Sequence, residues 1–259
     1  MIHENTGKEK QKFMRNIKLV LQYDGTRYSG WQSQEHEENT IQGRLTALLE
    51  RLTGERIHLM GSGRTDAGVH ALGQVANFKT ESELTCGKLQ DALNRYLPED
   101  IAVLSVEEAE PRFHSRLNAV RKTYRYRIWT SPVHNVFERK YLYELGQDLD
   151  ESAMEEAAAL LCGTHDFRAF SSYRRTKKST VRILEQVVIE RKGAELCLEF
   201  TGNGFLYHMV RILAGTLIEV GLHKKSAEEM KEILASLDRE KAGFTAPAQG
   251  LCLVNVEYL

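Results

Sequence analysis

With 259 residues, 42% of them hydrophobic, the chain can bury a substantial core as one large domain or two of ordinary size. Its formal net charge of −1 argues against a nucleic-acid partner held by a general basic excess. No run approaches the roughly 18 apolar residues of a membrane span, and residues 1–14 are polar without a secretory signal's apolar stretch, so we expect a soluble, cytoplasmic protein. The four cysteines lie far apart with no Cys-x-x-Cys pair, which disfavours a zinc site or a disulfide framework.

The first half of the chain, after the polar tail at 1–14, predicts strands that alternate with two helices. Ile17 to Tyr23 alternates apolar and polar residues as a strand does. Thr40 caps a helix that ends at Gly54, and a second helix covers about Lys88 to Tyr96. Apolar alternation predicts the remaining strands of this half near Ile57 and at Gln74 to Lys79, Ile101 to Val106 and Thr123 to Trp129.

The second half opens near Asp150 and has the same mixed character. Its predicted elements are a helix at Glu151 to Cys162, a hairpin of Val181 to Ile189 and Glu195 to Phe200, helices at Leu206 to Val220 and Ala227 to Ser236, and a strand at Leu251 to Tyr258. Together these elements predict an α+β fold of two mixed α/β halves, residues 15–149 and 150–259. We expect their antiparallel sheets to join around a central cleft, with helices on the outer faces.

The basic residues are distributed unevenly, and two short segments hold many of them. These segments comprise Arg112, Arg116, Arg121, Lys122, Arg125 and Arg127, and then Arg174, Arg175, Lys177, Lys178 and Arg182. In Tyr124-Arg-Tyr126-Arg the rings and cations alternate as on a strand, so one face offers rings for stacking bases and the other offers cations for phosphates. A half-buried strand with a solvated basic face has the same alternation, and charge runs are common on solvated faces.

A glycine-rich segment from Gly61 to Gln74 holds one carboxylate, Asp66, among small and basic residues. Its four glycines permit turns closed to other residues and allow a large ligand to approach closely. Arg64 supplies a planar cation two residues from the acid. The segment therefore suits an anionic polymer as a ligand, although Thr-Asp-Ala-Gly alone is typical of an Asx turn whose carboxylate caps its own backbone.

The string Gly-Arg-Thr-Asp-Ala-Gly-Val-His at residues 63–70 resembles the signature of the TruA family of tRNA pseudouridine synthases. Further segments resemble the family's other motifs in the same order, namely Tyr23 to Gln32, Arg112 to Arg116, Lys122 to Tyr126, Gly204 to Arg211 and Thr245 to Leu251. The likeness runs from about Ile17 to Leu259 without a large gap.

The resemblance implies an isomerase that converts uridine to pseudouridine in the anticodon stem-loop of tRNA, at positions 38 to 40, and that acts as a homodimer. By the same resemblance Asp66 is the nucleophile, and Arg211 is its ion partner. Arg64 is implied to fill the gap left by the flipped uridine, and Tyr124 to pack against the target uracil. The catalytic Asp would lie in the first half and the second half would complete the RNA-binding cleft.

Pseudouridine formation breaks the bond between ribose C1′ and uracil N1 and joins C1′ to C5, so in principle it requires no cofactor, and we expect no metal ion. Asp66 could add to the sugar, add to the base, or remove a proton in a glycal route, and the sequence does not decide between them. Beyond the four residues named for the site, the basic residues expected to contact RNA are Arg116, Arg174, Arg175, Lys177 and Lys178.

Three histidines, His70, His114 and His208, have neither His-x-x-x-His spacing nor a set of companion carboxylates. Each is interpreted as an RNA contact or a satisfied polar group rather than a metal ligand or general base. Two other classes of function stay open beside the isomerase. One is an inactive RNA-binding module in which Asp66 only shapes a turn, and the other is a carboxylate-pair hydrolase, disfavoured because no second acid lies in a comparably constrained motif.

Overall fold

The strands form one mixed sheet in a computed structural model that describes residues 13–35, 37, 39–173 and 178–259. They are β1 Arg15–Tyr23, β2 Met60–Gly61, β3 His70–Thr80, β4 Ile101–Ala109, β5 Ala119–Trp129, β6 Tyr143–Glu144, β7 Gly163–Asp166, β8 Val181–Lys192, β9 Glu195–Gly202 and β10 Leu251–Tyr258. Their order is β4-β1-β3-β10-β5-β9-β8-β7, with β2 paired to β3 and β6 paired to β5.

The α-helices of the described residues are α1 Ile41–Thr53, α2 Cys86–Tyr96, α3 Glu151–Leu161, α4 Met209–Gly221 and α5 Glu229–Ser236. The predicted α+β class is therefore confirmed. Helix α1 begins and ends as its sequence indicates: the Thr40 hydroxyl accepts a hydrogen bond from the Gly43 amide at 3.1 Å, and Gly54 has a left-handed φ of 72°. Within the described residues no helix is long and apolar enough to cross a membrane.

The strand predicted near Ile57 is wrong, because the segment of residues 56–59 does not pair as a strand; within it Ile57 and Leu59 are buried and His58 is exposed. Side chains of α1 satisfy its backbone instead. The amide of Ile57 donates to the Glu50 carboxylate at 3.1 Å, and the carbonyl of Leu59 accepts from the Gln42 amide at 2.8 Å. Pairing with β3 is confined to the two residues of β2.

The last strand, β10, joins the two parts of the sheet. It pairs in parallel with β3, with Leu253 opposite Ala71, and antiparallel with β5, with Leu253 opposite Tyr124. Because β3 belongs to the first half and β10 to the second, the halves share one continuous sheet. The loop that precedes β3 and the helices of the second half are thereby brought to the same region.

The sheet has one buried face and one open face. In β1 the side chains of Leu19 and Leu21 are fully buried, whereas the intervening Val20 is half-buried and Gln22 is exposed. The register places Tyr124 and Tyr126 of β5 on the same face as the buried side chains of β1. Apolar side chains of α1 and α4 belong to that same core, so the helices cover the buried face.

Candidate active site

The loop of residues 62–69, between β2 and β3, carries Asp66 and is fixed by its backbone. The carbonyl of Thr65 accepts from the Trp31 amide at 3.0 Å, and the amide of Gly68 donates to the Tyr28 carbonyl at 3.3 Å. Gly68 has a φ of 77°, a conformation that other residues rarely adopt. The Thr65 hydroxyl points inward to the phenol of Tyr23 at 2.8 Å, while the Asp66 side chain keeps 23% of its surface exposed.

Asp66 is paired with a cation from the second half of the chain. Arg211, in the first turn of α4, approaches the Asp66 Oδ2 with its Nη1 at 3.1 Å. The Nε of the same guanidinium donates to the carbonyl of Ala246 at 2.8 Å, so the group is held at both ends. The predicted ion pair is therefore present, and 145 positions of sequence separate its members.

His208, which the sequence analysis interpreted as an RNA contact or a satisfied polar group, is a neighbour of Asp66. Its Nε2 lies 3.4 Å from the same Oδ2, and its Nδ1 lies 2.9 Å from the hydroxyl of Ser172. Burial lowers the pKa of the His208 imidazole, and the nearby Arg211 lowers it further, against the opposite influence of Asp66. The sequence signal for the contact of His208 with Asp66 is the position of His208, three residues before Arg211 and directly before the helix that supplies this cation.

Tyr124 lies beside Asp66 with its ring edge-on to Phe205, the two centroids 5.2 Å apart. The residue is 7% exposed. Every buried side-chain polar atom of the described residues has a hydrogen-bond partner. The Tyr124 hydroxyl has no partner among these residues, so this hydroxyl is accessible to solvent. Burial raises the pKa of its phenol, and the Asp66 carboxylate adds to the shift, so the hydroxyl stays protonated and able to donate.

Arg64 lies on the same loop as Asp66 and is exposed to solvent. Its guanidinium Nε donates to the Gln32 side chain at 3.1 Å, and Gln32 in turn donates to the Gln42 side chain at 2.7 Å. Among the described residues, Arg64 has no acidic partner. A flat cation held by one neutral hydrogen bond can move to an incoming ligand at small cost.

The predicted RNA contacts fall in different situations. The side chains of Arg116 and Lys178 are exposed. Arg174, Arg175 and Lys177 lie outside the described residues.

Lys122, which the sequence placed in a basic cluster and at the start of the family-like segment Lys122 to Tyr126, contacts the Asp66 loop directly. Its Nζ donates to the Ser62 carbonyl at 2.6 Å and lies 3.0 Å from the point that a side chain at Gly63 would occupy. Burial lowers the pKa of Lys122 to about 8, with a contribution from Arg116. The residue is therefore a tether between β5 and the start of the loop.

The alternation of rings and cations in β5 is present, but its two faces differ from a simple nucleic-acid surface. Tyr124 and Tyr126 are buried, whereas Arg125 and Arg127 lie on the opposite, open face. There Arg125 pairs with an acid of β9 at 3.1 Å, and Arg127 pairs with Glu195 of that strand at 2.6 Å. These two cations are neutralised within the fold rather than presented beside Asp66.

His70 and His114 are satisfied polar groups. The Nδ1 of His70 accepts from the Gly25 amide at 3.0 Å and its Nε2 lies 3.1 Å from the Lys140 carbonyl, which fits a neutral ring. Burial lowers the pKa of His70. The Nδ1 of His114 accepts from the amide of Arg116 at 3.1 Å. Within the residues that the structure describes, no three His, Cys, Asp or Glu side chains are grouped to hold a metal ion.

The fold and the geometry define an α+β protein in which a carboxylate, paired with a guanidinium and lying near a phenol, is equipped for nucleophilic or acid–base chemistry. Comparison with known proteins narrows this class. The family described as tRNA pseudouridine synthase matches residues 19–118 and 157–259. The chain belongs to this family, the TruA family of tRNA pseudouridine synthases, and it is an isomerase.

Curated relatives are similar over nearly their whole length. The chain is 46% identical over 245 residues to tRNA pseudouridine synthase A 2 of Clostridium tetani, covering 94% of this chain and 99% of the relative. It is equally similar, at 46% over 245 residues, to tRNA pseudouridine synthase A of a Bacillus species, strain KSM-64, covering 95% of this chain and 100% of the relative. The protein of that name from Acetivibrio thermocellus gives the same identity and coverage.

Proposed function

We propose that this tRNA pseudouridine synthase modifies the anticodon stem-loop at positions 38, 39 and 40, with Asp66 as the nucleophile. The observation that carries the proposal is the partly exposed carboxylate of Asp66, paired at Oδ2 with Arg211 at 3.1 Å and lying near the ring of Tyr124. The other oxygen, Oδ1, has no partner among the described residues. It is therefore the oxygen free to meet the substrate.

The reaction requires the Asp66 carboxylate to remain ionised beside the bound uracil. Bound RNA would exclude water and penalise the charge, and the permanent cation of Arg211 offsets that penalty. The C1′–N1 bond breaks, the uracil turns, C5 joins C1′, the C5 proton is finally lost to solvent, and N1 takes up a proton in its place. A free carboxylate oxygen serves addition to C1′, addition to the base or proton removal in a glycal route, and all three routes keep the same residue.

Two residues would handle the uridine. A stacked uridine must leave its helix to meet a carboxylate at the floor of a cleft, at a cost of about a few kcal/mol. Arg64, exposed and held by one neutral bond, suits the gap that the flipped nucleotide leaves. The Tyr124 ring would support the extruded uracil, and its protonated hydroxyl would donate a hydrogen bond to it.

The family resemblance also supports a proposal for the RNA contacts, the oligomeric state and the two units of the chain. Arg116 and Lys178, with Arg174, Arg175 and Lys177, would contact phosphates of the tRNA. The active form would be a cytoplasmic homodimer in which one subunit holds the body of the tRNA while the other reacts. Residues 15–149 would be the unit that carries Asp66 and residues 150–259 the unit that completes the cleft, with the tail at 1–14 outside both.

The test compares Asp66→Asn with a matched acid. Wild type, Asp66→Asn and Asp166→Asn are incubated with tRNA carrying tritium at uridine C5, and tRNA binding is measured in parallel. Asp166 accepts a hydrogen bond from the Arg168 amide at 3.0 Å, and asparagine keeps that cap. We expect release by the wild type and Asp166→Asn and none by Asp66→Asn, with binding largely kept by all three.

Other results would contradict the proposal in identifiable ways. Release by Asp66→Asn at the normal rate would refute the assigned nucleophile. Binding without release by the wild type would support an inactive RNA-binding module. Nuclease digestion of the product and mass spectrometry of the fragments locate the modified uridines, and modification outside the anticodon stem-loop would refute the proposed positions.

A further inference from the structure

His208 has a backbone conformation that is costly for its residue type. It precedes α4 with a φ of 63°, in the left-handed region, and its side chain makes no capping hydrogen bond to the helix. Glycine or asparagine would occupy such a position with less strain, and strained residues cluster at functional sites. The imidazole therefore invites an explanation other than helix capping.

The contacts of the imidazole supply that explanation. Its Nε2 lies 3.4 Å from the Asp66 Oδ2, and its Nδ1 lies 2.9 Å from the Ser172 hydroxyl. The ring is also stacked on Tyr207, with centroids 3.7 Å apart and planes 29° from parallel. One side chain thus connects the carboxylate to Ser172 while stacking on Tyr207 holds the plane of its ring.

The protonation of the ring follows from its surroundings. Burial together with the charges of Arg211 and Arg239 lowers the pKa of His208 despite the facing Asp66, so the ring is neutral near pH 7. The carboxylate oxygen that faces Nε2 can only accept, so the single ring proton is assigned to Nε2, and the Ser172 hydroxyl then donates to Nδ1. At 3.4 Å this donor is longer than a well-formed hydrogen bond, and such distances shorten when substrate is bound.

We propose that His208 is a positioning residue which, together with Arg211, holds Oδ2 of Asp66 so that Oδ1 faces the glycosidic carbon. The inference rests on the proposed function, because it presumes that Asp66 is the reacting group. Among the described residues, the side-chain contacts of the carboxylate converge on one oxygen, from Arg211 at 3.1 Å and His208 at 3.4 Å. Two donors on one oxygen fix the rotation of the carboxylate, which a single ion pair leaves free.

The same three residues, Asp66, His208 and Ser172, also have the composition of an array that activates a serine. Two facts favour the positioning role. Arg211 already neutralises the Asp66 oxygen that faces the imidazole, so little negative charge is available to make the ring more basic. The pKa of His208 is accordingly lowered, whereas a base that must take a proton from serine needs the opposite shift.

The experiment measures kcat and KM for tritium release with wild type, His208→Gly and His208→Gln. Glycine suits the left-handed backbone and removes the ring, while the glutamine amide reaches about as far as Nε2 and keeps a donor. His223→Gly is the matched control, because His223 also has a left-handed φ of 56° and an Nε2 3.4 Å from a carboxylate oxygen, that of Asp150, but its side chain is 71% exposed.

We expect His208→Gly to lower kcat by about tenfold to a hundredfold with KM within about threefold, since small misplacements of a reacting group have such effects. His208→Gln should regain most of the lost kcat, and His223→Gly should match the wild type in both constants. A kcat equal to wild type in His208→Gly would overturn the inference. An effect confined to KM would also overturn it, because it would make His208 an RNA contact.

Two further arms keep the result interpretable. If His208→Gly fails to fold, Ser172→Ala takes its place, since it leaves the ring but removes its Nδ1 partner, and an unchanged kcat there would contradict the inference. Asp66→Asn is assayed beside all variants. Full activity of Asp66→Asn would refute the proposed function itself, whereas an inactive Asp66→Asn with a fully active His208→Gly would refute only the positioning role.

Discussion

Gly30 offers the sharpest test of how the fold places Asp66. The residue has a φ of 91°, and a Cβ built on it would lie 2.6 Å from the Thr65 carbonyl oxygen and 3.0 Å from the Asp66 carbonyl carbon. Gly54 also has a left-handed φ, of 72°, but nothing lies within 4 Å of its Cβ position. Alanine at Gly54 therefore introduces the backbone strain alone, and alanine at Gly30 adds a displacement of the loop that carries Asp66.

The size of the effect follows from these distances. Ordinary contact begins at 3.4 Å, so relief of the 2.6 Å contact requires the loop at Thr65 to move by about 0.8 Å. Left-handed alanine costs about 1–2 kcal/mol at either position, and loss of the Trp31 to Thr65 hydrogen bond adds about 1 kcal/mol at Gly30. Because a 1 Å misplacement lowers a rate by about a hundredfold, we expect Gly30→Ala to lower kcat by about tenfold to a hundredfold.

The assay separates misplacement from unfolding. Free energies of unfolding are measured first, and single-turnover rates are then compared at a temperature where both variants are folded. Gly54→Ala should have a lower free energy of unfolding and a wild-type single-turnover rate. Gly30→Ala should have a lower free energy of unfolding and a lower rate. A wild-type rate in Gly30→Ala, or an equal loss of rate in the two variants, would refute the argument that this close contact positions Asp66.

Two further predictions concern the cations around the loop. Arg211→Lys keeps the charge but cannot hold Asp66 and the Ala246 carbonyl together, so its single-turnover rate should fall by about tenfold; a wild-type rate would contradict the need for both bonds. The depressed pKa of Lys122, about 8, means that the unfolded chain binds more protons above pH 8, so wild-type stability should rise with pH relative to Lys122→Met. Between pH 8 and 9.5 the difference in unfolding free energy between wild type and Lys122→Met, measured by urea denaturation, should change by up to about 2 kcal/mol. If the plots of unfolding free energy against pH for the two proteins were parallel, they would contradict the lowering of the Lys122 pKa by burial.

Local pattern located most elements of this fold but not their arrangement. Leu251 to Tyr258 was predicted as a strand with the bounds that β10 has. Its position between β3 and β5 depends on pairings with distant strands, which no local period encodes. The helix predicted from Leu206 begins instead at Met209, because His208 takes a left-handed conformation that stops the helix there.

For the site, too, the sequence predicted local features but not the contacts between distant segments. Glycines and small residues around Asp66 indicated a constrained loop, and family resemblance, rather than any local spacing, suggested its pairing with Arg211. The approach of His208 to Asp66 and the Lys122 tether both arise from packing between β5, the loop and α4, which no local pattern encodes. Where side chains from distant segments meet, sequence pattern alone indicates the residue types and not their distances.

The near-neutral net charge does not show which of the basic residues are paired with acids. Arg121, Arg125 and Arg127 of the first basic segment each contact a glutamate, at 2.6 Å, 3.1 Å and 2.6 Å, so they add little to the field at a distance. Arg112 and Arg116 of that segment are exposed and have no acidic partner among the described residues. Attraction for a phosphate chain depends on such unpaired cations rather than on the total, because a paired guanidinium presents almost no net charge to an approaching polymer. A chain with a net charge of −1 can therefore carry a positive field where its unpaired arginines lie.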